Sequence, residues 1–440
     1  MTPRTGAEPE IRTFPAAVDA DGHADAATRE WIEAEAQGFY EPRRTETILD
    51  RRARHLVADA QRLTGVYQAS TSPAAYGPEV PVATFASFDG ELSTGAGESV
   101  RANLISAVTV RPTHRRRGLL RRMMLADLER AVADGHMLAA LTVSEATIYR
   151  RFGFGVATEV NAVTVTTDSR FRLATAPAGR CELVEPASLA ELGPGVFARF
   201  HAGRPGSITR LSRHWSRTAG LEGDDRDDAP EVRAAVHLDD SDTVDGYVSY
   251  RFTGWDTTPH TVEIVDLVAA TGDAYLGLWE FLGSLDLVER VTWDAAPVDD
   301  PLRWALTDWR VVKATGVDDW LWIRVLDPAR AFAARAYVPG TTGDLTIDIT
   351  DALGHADGRL ALRVDDGVGT AVLTPRGADA GAGGADLVLD VADLGSLYLG
   401  GVDPRVLSAA GRLRELVPGA ALRARTLLAP VAPVWGTTHF

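Results

Sequence analysis

The segment from residue 105 to residue 135 restricts the possible folds of this chain more than any other part of the sequence. It reads ISAVTVRPTHRRRGLLRRMMLADLERAVADG. A β-type run ends at Val110, and after a short basic loop a helix is predicted from about Arg116 to Asp134. Apolar residues recur there at helical spacing, as in a helix that packs on a sheet: Leu120, Met124, Leu128 and Ala131. The segment predicts a strand, a basic loop and a helix in direct succession.

The start of this predicted helix is suited to binding a phosphate group. Amides in the first turn of a helix lack intrahelical partners, and the helix dipole adds partial positive charge there. Gly118 has no Cβ and would let a phosphate approach the backbone, while Arg115, Arg116 and Arg117 add positive charge. An arginine run alone also fits a solvated face or a nucleic-acid patch. The order of elements around it favours a pyrophosphate site.

The chain is too long for one ordinary hydrophobic core. It has 440 residues, of which 45% are hydrophobic and 24% charged, a composition typical of folded globular proteins. Helical and β-type runs follow each other in two successive stretches of similar order, and a third stretch follows them. We therefore predict an α+β protein with a flexible tail over residues 1–25 and three domains over residues 26–168, 169–326 and 327–440.

Local signals support the third domain and identify two loops. Asp327 before Pro328 predicts a capped helix start, and the Asp-Gly pair in RLALRVDDGVGTAVLTP predicts a hairpin turn. The acidic stretch at residues 222–230 lacks the spacing of a calcium loop and is expected to be a solvated loop. The glycine-rich stretch at residues 376–386 opens no helix after a strand, so we expect a flexible turn there and no nucleotide site.

Charge and composition exclude several classes of function. Lys and Arg total 45 against 61 for Asp and Glu, and a net charge of −16 disfavours binding to nucleic acid or to an anionic membrane. The single cysteine, Cys181, permits no internal disulfide, and zinc-hydrolase, serine-hydrolase and Walker patterns are missing from the sequence, so no metal site is expected. Without a secretory signal or an apolar run of about 20 residues, the chain is expected to be cytoplasmic.

The basic loop resembles the acetyl-CoA loop of the GNAT acetyltransferase superfamily, whose pattern is Gln/Arg-x-x-Gly-x-Gly/Ala. The string RRGLLR supplies Arg116, Gly118 and Arg121, with Leu120 at the usual Gly/Ala position. The strings VRPTHRRRGLLRRMM, SEATIYRRFGFGVAT, WLWIRVLDPARAFAARAY and LGSLYLGG, and an end in Phe, closely resemble the Eis (enhanced intracellular survival) family of N-acetyltransferases. This resemblance implies two tandem GNAT-type α/β domains, a sterol-carrier-protein-like α/β domain after them, and acetyl-CoA as co-substrate.

The resemblance also implies roles for individual residues. Tyr149 aligns with the family's general acid, and the terminal carboxylate of Phe440 with its general base. The positions that would bind the cofactor are Val108, Thr109 and Val110 along the pantetheine arm, Arg116, Arg117, Gly118, Leu119, Leu120 and Arg121 at the pyrophosphate, and Ser144 and Glu145 near the thiol. Glu41 and His439 would meet the substrate, although the family commonly has an acid where this chain has His439.

Acetyl transfer to an amine needs a proton acceptor and a proton donor. An amine of pKa ~10 must lose a proton during attack, and the departing thiolate gains one. The phenol of Tyr149 suits donation, but without the resemblance this tyrosine equally fits a half-buried packing residue. The tail APVAPVWGTTHF would hold the carboxylate of Phe440 in a pocket, or would simply pack on its own domain. His439 is an alternative base because an imidazole has a pKa near ~6.5.

These observations lead to one expected activity and one alternative. We expect direct acetyl transfer to an amine of a polycationic substrate, which is an aminoglycoside-like molecule, a polyamine or a lysine. The alternative is a non-catalytic protein that binds acyl-CoA or a lipid. The family resemblance further implies a homo-oligomer, specifically a hexamer, and the Trp- and Tyr-rich middle domain is compatible with a large interface.

Overall fold

The computed structural model describes residues 8–70, 72–143, 145–222, 231–375 and 384–440. Within these ranges the chain forms three β-sheets, two of seven strands and one of five, with helices between and beside the strands. The predicted α+β class is confirmed. The predicted acidic loop and glycine-rich turn lie largely outside the described residues.

The elements up to residue 156 build most of the first sheet. They are β1 (Glu10–Pro15), α1 (Ala26–Gly38), α2 (Glu46–Ala58), β2 (Arg62–Tyr67), β3 (Ala83–Gly95), β4 (Glu98–Val110), α3 (Leu119–Ala133), β5 (Leu138–Thr142), α4 (Ala146–Tyr149) and β6 (Gly155–Val156). Short 3-10 helices cover Pro112–His114 and Arg150–Phe152.

The next elements build the second sheet. They are β7 (Glu159–Thr166), β8 (Arg180–Val184), α5 (Leu189–Gly203), α6 (Ser212–Thr218), β9 (Val232–Leu238), β10 (Val244–Phe252), β11 (Thr261–Ala269), α7 (Gly272–Gly283), β12 (Arg290–Pro297), α8 (Leu302–Ala305) and β13 (Val312–Asp319). Further 3-10 helices cover Pro186–Ser188 and Trp309–Val311.

The last elements return once to the first sheet and then build the third. They are β14 (Leu321–Val325), α9 (Pro328–Ala334), β15 (Gly343–Thr350), β16 (Gly358–Asp365), β17 (Val368–Thr374), β18 (Leu387–Asp390), α10 (Val391–Leu397), α11 (Pro404–Ala409), β19 (Leu413–Glu415) and α12 (Ala420–Leu427). We call each sheet together with its helices the first, second and third domain.

The strand orders show one parallel pair in each sheet. The first sheet has the order β1-β2-β3-β4-β5-β14-β6, the second β13-β7-β12-β11-β10-β9-β8, and the third β17-β16-β15-β18-β19. Among the described pairs, β4 with β5, β11 with β12 and β15 with β18 are parallel, and the others are antiparallel. The first two sheets therefore share an arrangement in which a parallel pair lies near the centre.

The first two sheets exchange strands across the predicted domain limits. β7 precedes residue 168 but pairs with β12 and β13 of the second sheet. β14 precedes residue 326 but lies between β5 and β6 of the first sheet. The limits at 168 and 326 therefore do not separate the sheets. The residues of β14 are all buried, so this strand is stabilised by the partners it finds across the sheet and not by its neighbours along the chain.

The expectation of a flexible tail over residues 1–25 is wrong for residues 10–15. These residues form β1, which pairs antiparallel with β2 along its whole length. The hydroxyls of Thr13 and Thr64 lie 2.9 Å apart across this pair. Composition predicted disorder because the segment is rich in small and polar residues, but the edge of the sheet supplies the backbone partners that order it.

A continuous hydrophobic core joins the first domain to the third. It contains buried residues from β3, β4 and β14, from the sheet and helices of the third domain, and from the C-terminus, among them Phe88, Leu104, Ile323, Phe332, Leu345, Leu394 and Phe440. The second domain has a core of its own, which includes Trp279, Trp293 and Trp435. These three tryptophans are thus core residues.

Several local predictions are confirmed. β4 ends at Val110, and the Asp327 side chain caps α9 by accepting a hydrogen bond from the Arg330 amide at 3.0 Å. The Asp-Gly turn between β16 and β17 has φ values of 50° and 79° at Asp366 and Gly367, as an Asp-Gly hairpin turn requires. The apolar stripe of α3 differs at one position: Leu119 is buried, and Leu120 is only partly buried.

Among the described residues, no three His, Cys, Asp or Glu side chains lie close enough together to hold a metal ion. In the same ranges, no helix is both long enough and apolar enough to cross a membrane.

Candidate active site

The first sheet opens between its two central parallel strands. β4 and β5 pair only from Ala102 to Ile105 on β4, although β4 continues to Val110. The register of β3 with β4 shifts just after this point, and Ala107 has a φ of 54°, which marks a β-bulge. Because a bulge bends its strand, β4 leaves β5, and among the described strands none pairs with β4 on that side beyond Ile105. The result is a cleft between the two strands.

This cleft has a volume of about 810 Å³ and collects most of the residues that the sequence predicted. Those lining it are Val108, Thr109, Val110, Arg116, Gly118, Leu119, Leu120, Arg121, Glu145 and Tyr149. Arg117 is exposed and is not part of the lining, and Ser144 lies outside the described residues. Other lining residues include Phe39 and Tyr40 at the end of α1 and Leu353 of the third domain, which no sequence pattern indicated.

The start of α3 forms the basic end of the cleft. Gly118 is the N-cap residue with a φ of 76°, a left-handed conformation that favours glycine. It supplies no side-chain cap, and the first turn contains no acidic residue. A Cβ at Gly118 would meet nothing of the protein within 4 Å, so this space is open to a ligand. Together with Arg116 and Arg121, these uncapped amides fit the diphosphate of a coenzyme A molecule.

Tyr149 ends α4 and closes the opposite part of the cleft. Its side chain is buried and packs edge to face on Phe154, with ring centroids 6.4 Å apart. Burial raises the pKa of Tyr149 to about 12, and the charge of Glu145 adds to the shift. The phenol therefore stays protonated at neutral pH and can only donate a proton there. This geometry is compatible with an acid and also with the packing role that the sequence left open.

The C-terminus reaches the end of β5. The Phe440 amide donates a hydrogen bond of 3.2 Å to the Thr142 hydroxyl, and this hydroxyl in turn donates to a terminal oxygen of Phe440. The Phe440 ring packs edge to face on Phe88 at 5.6 Å. Thr142 is the last residue of β5, and the loop after it leads to Glu145 and Tyr149. Neither Phe440 nor Thr142 is among the residues that line the cleft, but the segment that follows Thr142 leads into that lining.

The tail before Phe440 is held by several side chains of the first two domains. The Trp435 indole donates to the Ala295 carbonyl at 3.0 Å, and Arg210 donates to the Thr437 hydroxyl at 2.7 Å. The Trp320 indole donates to the Thr438 carbonyl at 3.0 Å. Trp435 and Phe440 are buried, as expected for anchors. These contacts order a chain terminus that would otherwise fray.

The two predicted substrate residues lie outside the cleft lining. Glu41 follows Tyr40 and forms an ion pair of 2.5 Å with Arg44, so its charge is balanced within the protein. His439 packs on Trp320 at 5.1 Å and lines a smaller cavity of about 240 Å³. Desolvation lowers the pKa of His439, and the charges of Arg213 and Arg217 lower it further. This environment keeps the imidazole neutral at neutral pH, so His439 itself adds no charge to the cavity.

Sequence reasoning missed Thr142 and the aromatic pair at the end of α1. Thr142 is one of many threonines at a strand end, and its role depends on a residue 298 positions away. Phe39 and Tyr40 are exposed aromatic side chains, and only the structure shows this exposure.

Three stretches of the chain match known families. Residues 23–157 and residues 206–325 each match the family described as "Acetyltransferase (GNAT) domain". Residues 328–436 match the family described as "Sterol carrier protein domain". The predicted order of two GNAT-type domains and one sterol-carrier-protein-like domain is thereby confirmed.

Whole proteins and solved structures agree with this order. An "Uncharacterized N-acetyltransferase" of Streptomyces griseus is 37% identical over 410 residues, which cover 90% of this chain and 93% of that protein. The "N-acetyltransferase Eis" of Mycobacterium tuberculosis is 36% identical over 323 residues, which cover 70% of this chain and 73% of that protein.

Two solved structures superpose over nearly the whole chain. Eis1 of Mycobacterium abscessus superposes with a TM-score of 0.78 at 26% identity, and the match covers 98% of this chain and 100% of that one. A GCN5-related N-acetyltransferase of Anabaena variabilis has the same fold, with a TM-score of 0.78 at 19% identity over 98% of this chain and 100% of that one. The chain therefore belongs to the Eis family of GNAT N-acetyltransferases, enzymes that use acetyl-CoA as co-substrate.

Proposed function

We propose that this enzyme transfers the acetyl group of acetyl-CoA directly to an amine, with Tyr149 as the acid and the C-terminal carboxylate of Phe440 as the base. The observation that carries the proposal is the fixed position of the C-terminus at Thr142, where β5 ends and the segment leading to Tyr149 begins. The proposal pairs this carboxylate with Tyr149, which lines the cleft a few residues further along the chain from Thr142.

The acid step follows from the environment of Tyr149. When the amine nitrogen attacks the thioester carbonyl, a C–N bond forms, the C–S bond breaks, and the sulfur leaves with the electron pair. Because the pKa of Tyr149 is raised to about 12, its hydroxyl is protonated and available to the sulfur. Because a free thiol has a pKa near ~8.5, the phenol is the weaker acid and full transfer of its proton to a thiolate is uphill. The hydroxyl therefore assists by donating a hydrogen bond to the charge that develops on sulfur as the C–S bond breaks.

The base step follows from the way the terminus is held. The amine loses one proton during attack, and the Phe440 carboxylate accepts it directly or through one water. A carboxylate in water is a weak base, but apolar surroundings raise its pKa. The buried Phe440 ring, which packs on Phe88, anchors the residue that carries this carboxylate. The fixed hydrogen bond to Thr142 keeps the carboxylate in place during the transfer.

We propose a polycationic acceptor: an aminoglycoside-like molecule, a polyamine or a lysine. The net charge of −16 supports attraction of such a molecule. We also propose a cytoplasmic homo-oligomer, specifically a hexamer. Trp304, Trp255 and Trp309 of the second domain support an interface because they are exposed, Trp304 by 91%. Light scattering on the purified protein measures the assembly directly.

The experiment that tests the mechanism removes the terminal carboxylate from its site. Deletion of Phe440 is compared with Phe440→Tyr, which keeps the ring and the carboxylate in place. With a panel of an aminoglycoside, spermidine and a lysine peptide, the deletion is expected to lower kcat about 100-fold or more, and Phe440→Tyr by less than about 3-fold. Coenzyme A binding is expected to be unchanged in both variants.

A deletion variant with the kcat of the intact enzyme would exclude the terminal carboxylate as the base. Coenzyme A binding without acetylation of any amine in the panel would contradict the proposed acceptor class and favour the non-catalytic alternative.

A further inference from the structure

A loop of the third domain reaches the cofactor cleft. Residues 351–357 connect β15 to β16, and Ala352 and Leu353 of this loop line the cleft beside Arg151 and Phe152. Leu353 also packs against the hydrophobic cluster of the first domain that contains Tyr149 and Phe152. The cleft is therefore not made by the first domain alone.

The Asp351 carboxylate fixes the shape of this loop. It accepts hydrogen bonds of 3.0 Å from the amides of Leu353 and Ala356. The Asp351 amide donates to the Asp357 carboxylate, also at 3.0 Å. Burial by itself would raise the pKa of Asp351, but Arg324 and these amides lower it, so the group is a carboxylate at neutral pH. Leu353 is thus held by a closed set of bonds within its own loop.

Arg324 joins this loop to the chain segment after Tyr149. It lies on β14 and is fully buried, with 0% exposure. One of its terminal nitrogens donates to Asp351 at 2.8 Å and the other to the Phe152 carbonyl at 2.7 Å. Only the planar fork of an arginine spans both acceptors at once. The third-domain loop and the segment of Tyr149 are held through this one side chain.

The sequence around Phe152 is adapted to this contact. Gly153 has a φ of 82°, and a Cβ there would overlap the guanidinium of Arg324. Two residues later, a Cβ on Gly155 would overlap the carbonyl oxygen of Ala392 on α10. Gly153 therefore leaves room for the Arg324 side chain, and Gly155 leaves room for the close approach of α10 of the third domain.

A second set of ion pairs holds the same segment against the third domain. Arg150, next to Tyr149, donates to Asp390 at 2.9 Å and to Asp393 at 2.8 Å. Asp393 is buried and also pairs with Arg412 at 2.6 Å. Ion pairs thus bind Arg150 to the third domain, Gly155 lies close to α10 of that domain, and Tyr149 directly precedes this segment.

We propose that the sterol-carrier-protein-like domain is part of the acyl-CoA site. Leu353 is a coenzyme-A-contacting residue, and Arg324 is a positioning residue that sets the place of Leu353 and of the segment after Tyr149. The inference rests on one part of the proposed function, namely that acetyl-CoA binds in this cleft. It gives the third domain a role in cofactor affinity that is independent of any lipid ligand.

The first test measures coenzyme A binding to the full-length protein by calorimetry, without any amine. Leu353→Ala removes the apolar contact, and Leu353→Asp adds negative charge beside an anionic ligand. The matched control is Val372→Ala, because Val372 lies on β17 of the same domain and is exposed by 60%. We expect the Kd of coenzyme A to rise about 3- to 10-fold with Leu353→Ala and further with Leu353→Asp, and to be unchanged with Val372→Ala.

Equal Kd values for the wild type and both Leu353 variants would overturn the inference. Failure of the wild type itself to bind coenzyme A would instead overturn the proposed function, so the two failures are distinguishable.

The second test concerns Arg324. Arg324→Lys keeps the charge but cannot span the Phe152 carbonyl and Asp351 together. We expect the KM for acetyl-CoA to rise about 5-fold or more and kcat to fall, measured well below the melting temperature. A variant that melts earlier but keeps the wild-type KM and kcat would show a purely structural role. If Arg324→Lys does not fold, Asp351→Asn is measured in the same way with the same two outcomes.

Discussion

The first and second domains share a sheet arrangement but differ at the helix that follows the central strand. In the first domain, α3 starts at Gly118 with open amides and neighbouring arginines. In the second domain, α7 starts at Thr271, whose hydroxyl accepts from the Ala274 amide at 3.0 Å. Asp273 in the first turn of α7 accepts from the Ala178 amide at 3.2 Å. An anion is therefore attracted to α3 and kept from α7.

The space between the parallel strands differs in the same way. β11 and β12 pair only over residues 261–263 and 290–292 and then separate, as β4 and β5 do. The second gap leaves a cavity of about 240 Å³, against about 810 Å³ in the first domain. Thr437 and His439 of the C-terminal tail line this smaller cavity. The tail thus passes along the second gap before it ends at Phe440, whose amide donates to Thr142 at the end of β5.

This comparison teaches that the shared fold supplies the gap, while a few residues decide its use. A glycine at the helix start leaves backbone amides free to donate hydrogen bonds to a phosphate, whereas a threonine there uses one of them for its own cap. Where the C-terminal tail lies in the gap, as in the second domain, less space is left for a cofactor. The following predictions test this difference, from the largest expected effect to the smallest.

Tyr149→Phe removes the proposed acid of the first domain, and Tyr250→Phe removes a hydroxyl of a similarly buried tyrosine in the second domain. We expect Tyr149→Phe to lower kcat about 100-fold or more while the Kd of coenzyme A stays unchanged, because only the proton donor is lost. Tyr250→Phe is expected to leave kcat within about 2-fold. Steady-state kinetics and calorimetry measure both, and equal kcat values for the two variants would contradict the role of Tyr149.

Gly118→Thr places the second domain's residue at the start of α3. A threonine is strained at a φ of 76°, and its side chain fills the space open to a phosphate. We expect the Kd of coenzyme A to rise about 10-fold or more, measured by calorimetry. The reverse change, Thr271→Gly, is the control and is expected to leave that Kd unchanged. A wild-type Kd in Gly118→Thr would show that the helix start does not hold the cofactor.

Thr271→Ala removes the cap of α7. Loss of a threonine cap costs about 1 kcal/mol, so we expect a melting temperature lower by a few degrees, measured by calorimetric melting. Activity is expected to be unchanged because this helix start binds no cofactor. A loss of acetyl transfer at temperatures well below the melting transition would mean that the second domain takes part in the reaction.

The pH dependence is expected to show the smallest change. Burial raises the pKa of Tyr149 to about 12, above the ~10 of a free phenol, so the acid stays protonated over a wider alkaline range. Since the acid acts in its protonated form, kcat is expected not to fall between about pH 8 and pH 10. A pH–rate profile of the wild type checks this. If kcat of the wild type fell near pH 9 and that of Tyr149→Phe did not, the pKa of Tyr149 would be lower than about 12.

The sequence by itself determined the features that depend on neighbouring residues. The end of β4, the start of α3 at Gly118, the cap at Asp327 and the turn at Asp366 each follow from a few consecutive side chains. Local sterics and hydrogen bonds fix such features whatever the rest of the chain does. The uncapped start of α3, which we propose to bind the cofactor, could be predicted for the same reason, because its donors come from one helix start.

Only the tertiary structure decided the features that join distant parts of the chain. β14 enters the first sheet, Leu353 of the third domain reaches the cleft, and Phe440 meets Thr142 across 298 positions. A strand pattern shows that a segment pairs but not with which partner, since many buried strands are equally apolar. These pairings are selected by burial summed over the whole core, and that sum exists only once the chain has folded.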